Sequence, residues 1–162
     1  MGKSGKKLGE ILVGKGIITS SQLNDALVEQ RLTSKFLGII LKERGLITSK
    51  QFMEALSEQF GMVMVDLKTE HIDMELARKY SNSLIVERKC FPFFQDEYTV
   101  TVAIFNPLDV EAIGKIEEES KPRKVNLVLA DEADLDGLIK NFRLYINQDI
   151  QRLLRRKPLE GK

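Results

Sequence analysis

The sequence predicts an α+β fold: an N-terminal helical lobe of two tandem helical hairpins, followed by a small β-sheet flanked by helices. Three observations point to it. Residues 7 to 30 recur as residues 36 to 59, without a gap and with 13 identities in 24 positions. Both copies place apolar residues at helical spacing between start and stop signals. After Gln59 the pattern changes to short β-branched runs that alternate with helical stretches in the order β-β-α-β-α. The expected organisation is a tandem-repeat helical lobe over 1–60, a small α/β lobe of the same domain over 61–145, and a basic amphipathic tail over 146–162.

Each repeat reads as two helices. In the first copy Leu8, Ile11 and Leu12 are helically spaced, and Gly16 stands where a left-handed residue would end that helix. Thr19 is the expected cap of the second helix, with Gln22 completing a capping box and Ile18 and Leu23 forming a hydrophobic staple. The second copy repeats these signals with Leu37, Ile40, Leu41, Gly45, Thr48, Gln51, Ile47 and Phe52.

Downstream, "MVMVDL" (Met62 to Leu67) reads as a short strand and Met74 to Tyr80 as a weak helix. In "NSLIVERK" a Ser83 cap competes with β-branched residues, and a short helix is expected. "CFPFFQDEYTVTVAIF" reads as a hairpin turning at Asp96 and Glu97, closed by Asn106 and Pro107 because proline donates no ladder hydrogen bond. An amphipathic helix with Leu108, Ile113 and Ile116 inward follows. "KVNLVLA" is then a strand, and Asp131 caps the last helix. In that helix and the tail, Leu144, Ile146, Ile150, Leu153 and Leu154 suggest a continuation past the core.

The 162 residues are 43% apolar and 30% charged, a globular composition with enough chain for one domain. A net charge of +1 provides no general attraction for a nucleic acid polymer. No apolar run is long enough for membrane insertion, and the single Cys90 excludes an internal disulfide, so a cytoplasmic protein is expected. The Gly2-Lys3-Ser4 stretch lacks the upstream glycine and strand of a phosphate loop and reads as a solvated start. His71 is the only histidine, Cys90 reads as an inert buried thiol, and neither suggests a metal set or a nucleophile. The expectation is a chain that is not an enzyme and carries no cofactor.

Where a site would lie is suggested by the repeat. Leu23, Leu27 and Gln30 form one stripe at i, i+4 and i+7, as do Phe52, Leu56 and Gln59. Gly9 and Gly38 occupy equivalent helix-interior positions at a cost of about 1 kcal/mol each relative to alanine, so something approaches the backbone there, either a neighbouring helix or a ligand.

The unit "LGEILVGKGIITSSQLNDALVEQ", the spacer "RLTSK" and the unit "LGIILKERGLITSKQFMEALSEQ" resemble the tandem 24-residue motifs of the MshEN-type N-terminal domain of type II secretion and type IV pilus assembly ATPases. "FGMVMVDL", "FPFFQDEYTVTVAIFNPLDVEAI" and "VNLVLADEADLDGLI" resemble the rest of that domain, including its Asp-Pro-x-x-Asp-like turn, here Asn106 to Asp109. The likeness covers about residues 7 to 145.

The resemblance implies a non-catalytic regulatory module that binds cyclic di-GMP, with one half-site per repeat for each guanine. Alternatively, it implies an adaptor that docks a secretion, pilus or motility component without nucleotide. By the motif, Lys7, Leu8, Gly9, Leu12, Leu23, Leu27 and Gln30 would form the first half-site, and Phe36, Leu37, Gly38, Leu41, Phe52, Leu56 and Gln59 the second. Leucines would supply an apolar floor, glycines close approach and glutamines hydrogen bonds. The family's motif usually begins with arginine, where Lys7 and Phe36 stand in this chain.

Overall fold

The computed structural model describes residues 5–156. The Gly2-Lys3-Ser4 stretch and the end of the basic tail, 157–162, lie outside the described residues. The first repeat forms α1 (Leu8–Gly14) and α2 (Ser20–Thr33), and the second forms α3 (Leu37–Glu43) and α4 (Ser49–Phe60). Both first helices end alike. Gly16 at φ 69° lets its own N–H reach Val13 O and that of Ile17 reach Leu12 O, and Gly45 at φ 67° does the same toward Lys42 and Leu41. Both second helices begin alike: Thr19 Oγ1 accepts from Gln22 N while Gln22 Oε1 accepts from Thr19 N, and Thr48 and Gln51 repeat the exchange.

The copies interlock rather than stack in file, with α1 against α4 and α2 against α3. Two ion pairs make the relation explicit. Lys15 Nζ lies 2.7 Å from Glu58 Oε2, and Arg44 Nε donates to Glu29 Oε2 at 2.8 Å. Arg44 is the counterpart of Lys15, and Glu58 that of Glu29, at the same offset of 29 residues. A contact that recurs with its two partners exchanged is the signature of a two-fold relation, here within one chain.

The sheet has order β1-β2-β3, from Phe91–Gln95, Thr99–Ile104 and Lys124–Leu129. β1 and β2 are antiparallel around a turn held by Asp96, whose carboxylate accepts from the N–H groups of Tyr98 and Thr99. Those bonds keep its carboxyl below the usual carboxylate range, with the Thr99 N–H the leading cause. β2 and β3 are parallel and joined through α6 (Val110–Ser120). Val100, Val102 and Ile104 of β2 enter the same core as α1, α3, α4 and α6, so the repeats and the sheet share one apolar interior. The opposite face, with Phe91, Phe93, Ala103 and Val128, packs under α7 (Glu132–Arg155) through Leu135, Leu138, Ile139 and Phe142. Phe91 and Phe142 meet edge to face at 5.6 Å.

Several local expectations are corrected. Met62 to Leu67 is no full strand: only Met64 bridges to Leu129, and Val65 N reaches Leu129 O. Asp66 then turns the chain, its carboxylate accepting from Lys68 N. The helical stretch at Met74 shrinks to α5 (Met74–Ala77). The short helix expected at Ser83 is present, as a π-helical turn over Ser83–Glu87 that buries Leu84 in one core and Ile85 in the other. Leu108 is 46% exposed and not inward, because Asp109 caps α6 and leaves it outside the helix. The last helix does continue as expected: α7 runs unbroken past position 146, held to the body there by Asp149 on Arg78 at 2.7 Å. Its last turns expose Ile150, Leu153 and Leu154.

Candidate functional site

The first turns of α1 and α3 and the inner faces of α2 and α4 surround a cavity of about 700 Å³. Its wall repeats itself. Lys7 and Phe36, Leu8 and Leu37, Gly9 and Gly38, Leu23 and Phe52, Leu27 and Leu56, and Gln30 and Gln59 all line it, each pair related by the 29-residue offset. Glu10 and Ile39 add a further pair. The cavity therefore straddles the two-fold relation between the repeats.

Twelve of the fourteen residues named from the motif are thus on one wall, and two are elsewhere. Leu12 and Leu41 are fully buried on the core side of α1 and α3, where they hold the helices that carry the wall.

The two glycines have a steric reason that the structure makes explicit. A β-carbon on Gly9 would lie 2.6 Å from Leu23 Cδ1, and one on Gly38 would lie 2.0 Å from Phe52 Cε2. Of the two alternatives left by the sequence, the neighbouring helix is the one that approaches. Each glycine lets the leading side chain of the second helix lie across the first helix, which sets the depth of the cavity. Gln30 also has a task within the fold: its amide nitrogen donates to Lys35 O at 3.2 Å, tying the end of α2 to the spacer.

The remaining wall comes from residues that periodicity did not single out: Arg31, Lys42, Phe105, Asn106, Leu108 and Glu132. For Asn106 and Leu108 the sequence holds a signal, the Asn106-Pro107-Leu108-Asp109 turn, whose Leu108, expected inward, lies on the wall instead. Lys42 Nζ sits 4.9 Å over the Phe52 ring and 4.0 Å from Glu132 Oε2. Glu132 also receives Lys89 at 2.9 Å, and Asp136 receives the same ammonium at 2.9 Å. Burial pulls the Lys89 pKa down, but the two carboxylates outweigh it and hold it above the ordinary lysine value. The start of α7 is thereby wired to the cavity rim.

Elsewhere, Cys90 is buried, and desolvation together with the charge of Asp109 pushes its thiol up to about 12. Among the described residues no cluster of histidine, cysteine or acidic side chains could hold a metal ion. Among them, too, no helix is long and apolar enough to cross a membrane.

The sequence model of the MshEN domain matches residues 60–148, more than half of the chain. The chain belongs to the MshEN domain family. No curated protein matches it. Among solved structures, that of MshE with cdg is similar to this MshEN domain with a TM-score of 0.78 and 24% identity, over 85% of this chain and 99% of that one. The N-terminal domain of XpsE is similar in two crystal forms. One has a TM-score of 0.65 at 16% identity, over 86% of this chain and 96% of that one. The other has a TM-score of 0.52 at 18% identity, over 86% and 97%. These likenesses extend the shared fold to the repeats, which lie before the segment matched by the family's sequence model.

Proposed function

We infer that this MshEN domain is a regulatory module that binds cyclic di-GMP in the cavity between its two repeats and carries that signal to a secretion or pilus machine. The observation that supports this most is the wall of equivalent pairs. A two-fold ligand with two guanines meets a scaffold that offers the same helix starts, glycine-enabled floor and terminal glutamine on either side. The volume is in the ordinary range for a small-molecule site. The similar MshE structure contains cdg, which agrees with this reading.

Leu8, Leu23, Leu27, Leu37 and Leu56 supply apolar area for bases and riboses, Phe36 and Phe52 add faces on which a base can stack, and Gln59 provides an amide for its polar edge. Lys7 keeps a positive charge where the family carries arginine, without the planar fork, and Phe36 keeps none. Each missing charge-assisted pair costs about 1.5–3 kcal/mol, roughly one to two decades of affinity.

Calorimetric titration of the chain with cyclic di-GMP tests the reading, with Leu27→Asp and Gln59→Ala alongside. Saturable 1:1 binding that both substitutions weaken is expected. Absence of heat at ligand concentrations of tens of micromolar overturns it.

A second reading has its own support in α7, whose last turns expose Ile150, Leu153 and Leu154. Such a stripe suits an adaptor that docks a component of the machine without nucleotide. The same titration separates the two, since an adaptor of that kind stays silent to every cyclic dinucleotide.

A further inference from the structure

The two half-sites are equivalent in backbone and unequal in chemistry. On the first turn of α1, Lys7 and Glu10 line the cavity, and their counterparts on α3 are Phe36 and Ile39. Leu23 on the first side corresponds to Phe52 on the second. The first repeat therefore opens with a cation and a carboxylate and the second with an aromatic ring and a branched aliphatic, while Arg31, Lys42 and Glu132 complete the wall.

Guanine carries acceptors at O6 and N7 and donors at N1–H and the N2 amino group. An ammonium toward O6 and N7 and a carboxylate toward N1–H and the N2 amino group complement those two sets, and adenine reverses the polarity at both places, with a donor at C6 and an acceptor at N1. Glu10 Oε2 accepts the Lys7 backbone N–H at 2.9 Å, which fixes the carboxylate at the start of α1 and leaves its second oxygen for a base. Phe36 and Ile39 have no donor or acceptor to tell the purines apart. Stacking on Phe36 or Phe52 is indifferent to base identity, because every base has a π-face. Lys42, the cation on the second side, backs the Phe52 ring at 4.9 Å and leans toward Glu132, so it strengthens that stacking face. Gln30 and Gln59 occur on both sides, and an amide suits either purine.

We propose that the cavity reads only one base: the repeat bearing Lys7 and Glu10 requires guanine, the repeat bearing Phe36 and Phe52 accepts either purine, and a mixed cyclic dinucleotide of one guanine and one adenine is a ligand on a par with cyclic di-GMP. This rests on the cyclic dinucleotide reading of the same cavity.

The test is calorimetric titration of the whole chain with cyclic di-GMP, the mixed guanine–adenine cyclic dinucleotide of the same linkage, and cyclic di-AMP. The first two bind within about threefold of each other, and cyclic di-AMP binds at least about tenfold more weakly, the loss expected for an unmatched charge-assisted base contact. If none of the three binds, the underlying reading fails. If cyclic di-GMP binds and the mixed ligand is about tenfold weaker or worse, both bases are read and the proposal fails alone. It fails equally if all three bind alike. Two variants probe the halves separately, with circular dichroism to confirm their fold. Phe36→Arg separates cyclic di-GMP from the mixed ligand by about tenfold, and Glu10→Ala brings cyclic di-AMP to within about threefold of it. Unchanged ratios in both variants overturn the assignment of the two sides.

Discussion

The Phe52 ring lies across Gly38 so closely that a β-carbon there would sit 2.0 Å from Cε2. Helix propensity alone favours alanine at this position by about 1 kcal/mol, and overpacking opposes it by about 1–3 kcal/mol. The clashing atoms are the far end of a ring beside an open cavity, so the ring escapes into that space. Gly38→Ala is therefore expected to unfold at a urea midpoint near that of the parent while losing at least about tenfold in affinity for cyclic di-GMP. An alanine variant that binds as the parent does would show that the cavity floor is not set by this contact.

The repeated leucines divide between core and wall. Leu12 and Leu41 are fully buried, and truncating either to alanine should cost about 2–5 kcal/mol in chemical denaturation. Leu27, half-buried on the cavity wall, should cost less when made alanine and weaken ligand binding more. A binding loss for Leu12→Ala that exceeds its stability loss would contradict this division.

The exchanged ion pairs make a prediction about symmetry. Reversing Lys15 to glutamate sets it against Glu58, and reversing Glu58 to lysine as well restores the attraction with its ends swapped. The melting temperature should fall in the single variant, recover in the double one, and differ less between them in molar salt, because the pair is exposed. The pair Arg44 and Glu29 should answer in the same sense.

Cys90 ties stability to alkaline pH. Burial and the charge of Asp109 raise the folded thiol to about 12, whereas an unfolded cysteine ionises at about 8.5. Between those values the native chain holds a proton that the unfolded chain has lost, so stability is constant below the lower value and falls as pH rises above it. Urea midpoints should decline above about pH 9 with a slope that Cys90→Ala lessens. In the folded protein at neutral pH, a thiol reagent should react only as fast as the core opens.

Legibility from sequence followed the range of the interactions. Thr19 with Gln22, Thr48 with Gln51 and the stops at Gly16 and Gly45 were readable because each is local: the cap and its partner are three residues apart. The wall was largely readable for a different reason, since duplication marks positions that packing alone would not distinguish. Leu12 and Leu41 show the limit of that signal, as a repeated leucine is repeated equally for core or for wall. Lys42, Phe105 and Glu132 were out of reach because they come together only when α3, β2 and α7 do. Met62 to Leu67 failed through register: it has strand residues, but only one position meets the end of β3 before Asp66 turns the chain.

The two-fold relation inside one chain has a consequence for how such a scaffold can evolve. A symmetric pocket made by two separate subunits holds together only at concentrations that keep them associated, and each substitution in it appears twice. Two linked copies meet at a fixed effective concentration however dilute the protein is. Each copy also mutates alone. Phe36 opposite Lys7 is a change that no homodimer of identical chains could make on one side only.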